Sequence, residues 1–319
     1  MKYSSNPDTI TRDYFDSLLL ETRYIDSEIP STRMELFGQE FDTPIMTAAL
    51  SHLHNPADGM AIYGKGAALS NAVHWVGMGE DAELESVVAT GAKSIKIIKP
   101  HADNREVFRK IEHAVRTGCF AVGMDTDHAF NSNGGYDDVF GLPMRPKSVE
   151  ELAEFVQAAG VPFIVKGVMS PRDAEKCAKA GCAGIVVSHH HGMVQYSVPP
   201  LMVLPDIISA VGDSMPVFVD CGIISGMDAY KCLALGAKAV SVGRHLMPLL
   251  KDGAQAVSDR INEMTAELAG IMARTGVTSL EDMDPTVIRL VMVLFTLGGG
   301  AGLILYLIAA LIMPRSNEF

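Results

Sequence analysis

The residues able to do chemistry are spread along the chain: Lys96 and Lys99, Asp125 and Asp127, Lys166, the run His189-His190-His191, Asp220 and Arg244. Lys166 stands in Phe163-Ile164-Val165-Lys166-Gly167-Val168, an apolar run in which a charge is costly without a partner. The adjacent histidines offer proton transfer or metal ligation. Successive residues of an extended chain point to opposite faces, however, so all three do not serve one metal, and none is expected. After Asp220 the chain reads Gly222-Ile223-Ile224-Ser225-Gly226, and Gly243-Arg244 follows further on. Glycine-rich backbone leading into a helix, with a cation beside it, can hold a terminal phosphate through N–H groups and charge.

Each of these residues stands at or near the end of a short, β-rich apolar run. The strand candidates are 44–50, 72–78, 94–99, 120–127, 162–168, 184–190, 216–222 and 239–245. They alternate with segments of helical period, clearest at 82–90, 105–117, 148–159, 171–180, 204–211, 227–235 and 254–273. Several helices stop in glycine before the next strand, as at Ala180-Gly181 and Leu235-Gly236. Eight such pairs predict an α/β fold, a (β/α)8 TIM barrel over 44–283, in which reactive groups sit at the C-terminal ends of the strands. A doubly wound open sheet competes, but it wants a glycine-rich turn where Ala48-Ala49-Leu50-Ser51 stands. Residues 1–43 are expected to form a short N-terminal helical extension.

A chain of 319 residues, 48% hydrophobic and 20% charged, can bury a large core. Its 26 Lys and Arg against 38 Asp and Glu give a net charge of −12, which argues against nucleic acid as a partner. Cys119, Cys177, Cys182, Cys221 and Cys232 show no CxxC pair, so neither a disulfide framework nor a zinc site is suggested. The N-terminus has no apolar core of a secretory signal, and a cytoplasmic location is expected. Residues 290–313 run for twenty-four positions without a charge, between Arg289 and Arg315. As a helix they would be about 36 Å long, enough to cross a bilayer. Three successive glycines, Gly298-Gly299-Gly300, weaken a water-exposed helix but permit close helix approach in a membrane. Residues 284–319 are therefore expected to attach the body to the inner face of the cell membrane. The ordered run 284–314 resembles the membrane half of a phage-shock-protein C-type domain.

The segments FIVKGVMSPRDAEKCAKAGCAGIVVSHHHG, LMVLPDIISAVG and VFVDCGIISGMDAYKCLALGAKAVSVGRH, between 163 and 250, resemble the FMN-dependent α-hydroxy-acid oxidase and dehydrogenase family. Weaker similarity reaches back through Pro44-Ile45-Met46-Thr47-Ala48 and Val122-Gly123-Met124-Asp125-Thr126. The resemblance implies an FMN barrel with His190 as base, Asp125 orienting it, and Lys166 against the flavin N1/O2 edge. It implies a cofactor site of Lys166, Ser188, Asp220, Gly222, Gly243 and Arg244, joined by Ala48 and Ala49. The family's Ser-Asn-His-Gly-Gly-Arg motif reads here Ser188-His189-His190-His191-Gly192-Met193, with methionine in place of the carboxylate-binding arginine. The second family arginine has no match in Asp127-His128-Ala129-Phe130-Asn131-Ser132-Asn133-Gly134-Gly135, and Lys99 replaces a tyrosine. Substrate contacts are thus expected from Lys99, Met193 and His189, to a small hydroxy compound other than an ordinary 2-hydroxy acid. A homo-oligomer is the expected assembly. Two other readings stand beside this oxidoreductase: a membrane-associated flavin-binding module without turnover, and a non-redox FMN barrel such as an isomerase.

Overall fold

The computed structural model describes residues 5–290, so the expected membrane run lies, past Leu290, outside the described residues. Eight parallel strands form one sheet: β1 (Ile45–Thr47), β2 (His74–Val76), β3 (Ser94–Ile98), β4 (Ala121–Asp125), β5 (Phe163–Val168), β6 (Gly184–Val187), β7 (Val217–Val219) and β8 (Ala239–Val242). β8 pairs with β1, and the remaining seam, between β1 and β2, is closed by a Leu50–Val76 bridge and by Thr47 N donating to Val73 O at 3.1 Å. The (β/α)8 barrel expected from the alternation is the fold.

An N-terminal helix, α1 (Pro7–Ser17), precedes the barrel; its helices are α2 (Gly59–Leu69), α3 (Asp81–Val88), α4 (Asn104–Thr117), α5 (Val149–Ala159), α6 (Pro171–Lys179), α7 (Pro200–Val211), α8 (Gly226–Ala234) and α9 (Ala254–Arg274). Local chemistry sets their ends: Ser148 and Glu151 form a capping box at α5, Ser170 and Ser225 cap α6 and α8, and left-handed glycines close α4 and α5. Sequence periodicity alone leaves α2 without bounds, because it is apolar on most sides and carries Gly59, Gly64 and Gly66. Packing explains the last: a Cβ on Gly66 would lie 2.5 Å from Val257 Cγ1 of α9.

The barrel interior is layered by the period-two alternation of strands. Ile95, Ile97, Ile164, Val186, Phe218 and Ala239 form an apolar plug with Met46 and Trp75. A hairpin, Met34–Leu36 with Gln39–Phe41, closes the N-terminal end of the barrel with Met34, Leu36 and Phe41. One strand period above the plug the inward positions turn polar: Lys99, Asp125, Lys166, Ser188, Asp220 and Ser241, all buried. That layer is the floor of the active-site end.

α1 lies across this end. The chain then descends along α8, Leu18–Leu20 pairing antiparallel with Ile288–Leu290, until Arg23 N donates to Arg274 O at the foot of α9. Residues 284–290, grouped by composition with the C-terminal segment, pack on the barrel, with Val287 fully buried against α8 and α9. Among the described residues no helix is long and apolar enough to cross a membrane.

Candidate active site

A cavity of about 450 Å³ opens at the C-terminal end of the strands. It is lined by Lys99, Asp125, Lys166, His190 and Asp220, by Ala48 and Ala49 after β1, and by Gly222, Gly243 and Arg244. Leu50 and Ser51 after β1 and Gly77 and Met78 after β2 complete one wall, and Ser241 on β8 and His245 after it also contribute.

His190 reaches the cavity because the chain leaves β6 in a left-handed turn, with φ of 48° at His190, 58° at His191 and 76° at Gly192. Such a backbone at a non-glycine residue costs roughly 1–3 kcal/mol, so surrounding contacts must hold it. One is the hydroxyl of Ser188, which accepts from His190 N at 3.2 Å. The imidazole Nδ1 lies 3.1 Å from Lys166 Nζ, 3.1 Å from Asp127 Oδ1 and 3.6 Å from Asp125 Oδ1. Its Nε2 lies 3.2 Å from Nε2 of His128.

Asp125 was the expected orienting acid, but its other oxygen is taken by Lys99 Nζ at 2.6 Å, and Asp127 stands closer to the ring. Neither Asp127 nor His128 follows from the resemblance. The one signal for them is the Asp-Thr-Asp-His spacing, which puts both just past the end of β4, in the 3-10 turn Thr126–Ala129.

Burial works to raise the Asp125 carboxyl, but Lys166, His190 and Lys99 overcome it and hold the group well below the usual carboxylate range. Asp127 is pushed up, by burial and by the charge on Asp125. Burial opposes charge on His190, yet bonding to Asp125 and Asp127 prevails and lifts the imidazole to about 9. Lys166 is likewise raised despite burial, by Asp125, Asp127 and Asp220. His128 is lowered by burial and by the nearby cations Lys99 and His190.

Asp125, Asp127, His128 and His190 bring ligand-type atoms within 4.8 Å of one another. The ammonium groups of Lys99 and Lys166 already neutralise those carboxylates, so we assign the group no metal.

At the far end, Gly222 (φ 81°) and Gly243 line the cavity beside Arg244, with Thr11 of α1 packed close to Gly222. A Cβ on Gly243 would sit 3.1 Å from that of Ala48, which keeps this end narrow. The Arg244 guanidinium is held bidentately by Asp8 of α1, both contacts at 2.9 Å. Two expected substrate residues stand outside the cavity lining. Met193 is 43% exposed on the loop after β6. The ring of His189 turns instead to Thr11 of α1 (2.8 Å) and to the N–H of Gly192 (3.1 Å). The left-handed turn is the reason: it rotates His190 inward and carries Met193 away. Ser188 also stays behind the lining, 3.4 Å from Asp220.

A glycine-lined pocket ending in an arginine, with a buried lysine and a carboxylate-bound histidine, thus stands at the C-terminal end of the barrel strands. The family described as FMN-dependent dehydrogenase matches residues 8–150 and 142–290, and the chain belongs to it. A second match, to the PspC domain, covers residues 268–316 and begins inside α9. The chain is similar to an L-lactate oxidase of Roseobacter sp. (29% identity; 80% of this chain, 78% of the relative). It is also similar to an FMN-dependent alpha-hydroxy acid dehydrogenase of Schizosaccharomyces pombe (26% identity; 83% of this chain, 79% of the relative). Mandelate oxidase with (S)-2-phenylpropionate shares the fold, at a TM-score of 0.79 and 23% identity over 90% of this chain and 90% of that one. The protein is thus an FMN-dependent oxidoreductase acting on CH–OH groups.

Proposed function

We propose that the chain oxidises a hydroxy compound whose recognition does not rest on an arginine–carboxylate fork. One observation carries this reading: the cations lining the cavity around His190 are Lys99 and Lys166, both already paired with Asp125, while the lining arginine, Arg244, stands at the other end. A guanidinium fork grips carboxylates directionally; a lysine committed to a buried aspartate does so less well.

The residues present fit FMN. The cavity is within the roughly 300–1,000 Å³ usual for small-molecule sites, and its arginine end has the glycine backbone a phosphate needs. Arg244 with Gly222 and Gly243 would hold the phosphate, and Lys166, Ala48 and Ala49 would face the ring system. Bound FMN supplies the two-electron acceptor for a hydride from the substrate carbon. The chain's part is proton management. His190 takes the hydroxyl proton as the C–O bond becomes C=O, Asp127 and Asp125 stabilise the resulting imidazolium, and Lys166 holds positive charge at the cavity floor. Attachment to a membrane through 290–313 belongs to the same reading, supported by the charge-free run and the PspC match.

Anaerobic addition of hydroxy acids and alcohols, with flavin absorbance as the readout, tests the proposal. Bleaching is expected with some hydroxy compound and to be slow with lactate and glycolate. Rapid bleaching by lactate would discard the altered pocket, and a flavin that no hydroxy compound reduces would favour the module without turnover.

A further inference from the structure

The βα connection after β4 folds back on itself. Asn131 Oδ1 accepts from the N–H groups of Asn133 and Gly135, Phe130 bridges to Tyr136, and Asp137 N donates to Ala129 O at 3.2 Å. This local turn sets Asp137 beside His128, with Oδ2 3.2 Å from Nδ1. His128 in turn meets His190 edge to face, the rings at 84° and the two Nε2 atoms 3.2 Å apart. The polar contacts therefore form an unbroken row: Asp127, His190, His128, Asp137. The last two side chains are 21% and 20% exposed, so the row ends in water.

We infer that His128 and Asp137 are positioning and relay residues that carry the substrate-derived proton from His190 to solvent. The inference rests on His190 being the base. The hydroxyl proton arrives on Nε2 of His190, passes to Nε2 of His128 as the Nδ1 proton of His128 moves to Asp137, and leaves to water. No electron moves in these steps, and His190 returns to its neutral, accepting form.

The charges around the row suit that direction. Asp125 and Asp127 favour the imidazolium of His190, whose Nδ1–H then faces Asp127 and whose Nε2–H faces His128. Lys166 opposes that charge from β5, and the His191 ring lies 5.9 Å away. Lys99 and His190 both disfavour charge on His128, and burial adds to this, so His128 stays a neutral acceptor while Asp137 receives its other proton. The relay governs how fast a base lifted to about 9 exchanges its proton with water between turnovers, not how much of it is neutral at a given pH.

Two measurements on the FMN-loaded full chain test this. In ¹⁵N-histidine NMR, which needs no substrate, a coupling across the hydrogen bond between the two Nε2 nuclei is expected, absent in His128→Phe; its absence from wild type would overturn the inference. In single turnovers at pH 10, above the His190 value, with excess racemic 1-phenyl-1,2-ethanediol, a hydroxy compound without a carboxylate, flavin bleaching and dye-detected proton release are monitored together. His128→Phe and Asp137→Asn should bleach within about twofold of wild type yet release the proton at least tenfold later, with added imidazole restoring the first. Release that keeps pace with bleaching in both variants would also overturn it. Unchanged bleaching in His190→Ala would instead remove the base assignment beneath it.

Discussion

At His190 both ring nitrogens are engaged, Nδ1 by two carboxylates and a lysine and Nε2 by a second histidine. Its protonation is therefore set by its neighbours. Asp127→Asn removes a partner of the imidazolium, so the limb of the pH–rate profile at which the base becomes neutral, near 9 in the free enzyme, should move down toward the ordinary histidine value of 6.5. kcat/KM measured from pH 5.5 to 10 checks this; an unmoved limb would show that Asp125 alone sets the charge. Lys166 is legible from its apolar strand, and Asp125 and Asp127 from their place at the end of a strand run, while the roles expected of His190 and Asp125 come from the family resemblance. His128 is not legible, nor is the pairing of Asp127 with His190, since both depend on a turn that brings 126–137 to the loop after β6, and no local pattern states that contact. Met193 shows the opposite failure: the motif position is clear, but the left-handed turn puts its side chain in solvent.

At the scale of elements, α1 is what composition describes least. The sequence predicts a helical extension and offers no ground for placing it over the catalytic end. It covers Gly222, where a Cβ would come 2.7 Å from Thr11 Cγ2, and it delivers Asp8 to Arg244. Asp8 thus presents a carboxylate to the same guanidinium that a phosphate must use. Asp8→Asn is expected to tighten FMN binding by up to about fivefold, the reach of a half-exposed ion pair worth roughly 0.2–1 kcal/mol, and Arg244→Ala to weaken it. Quenching of flavin fluorescence on titration reads both. Weaker binding in Asp8→Asn would mean that the carboxylate orients Arg244 for the phosphate. The strands are evident from their apolar runs but read too long, because 188–190 and 220–222 leave the sheet in left-handed turns that hydrophobicity does not encode.

For the whole molecule, two histidines bracket stability in pH. His190 is raised from 6.5 to about 9, so its contribution is complete below pH 6.5 and is lost as pH rises through 9. His74 is fully buried and lowered to about 3 by desolvation, its Nδ1 2.7 Å from Thr47 Oγ1. Its contribution is complete above pH 6.5 and is lost as pH falls toward 3. Urea midpoints should therefore fall on both sides of neutrality, and His190→Gln should flatten the alkaline side. A midpoint that holds from pH 7 to 10 in wild type would contradict the raised value.

The short strand Ile288–Leu290 climbs beside Leu18–Leu20, so the chain arrives at Leu290 travelling toward the catalytic end. Leu290 stands opposite Leu18, and only about 10 Å of helix separates Leu18 from Thr11 at the cavity mouth. The two strands thus tie the barrel's flank to the helix that crosses its mouth, so a change in how Ile288–Leu290 pairs with Leu18–Leu20 would be felt at Thr11 and Asp8, the α1 residues that meet His189 and Arg244.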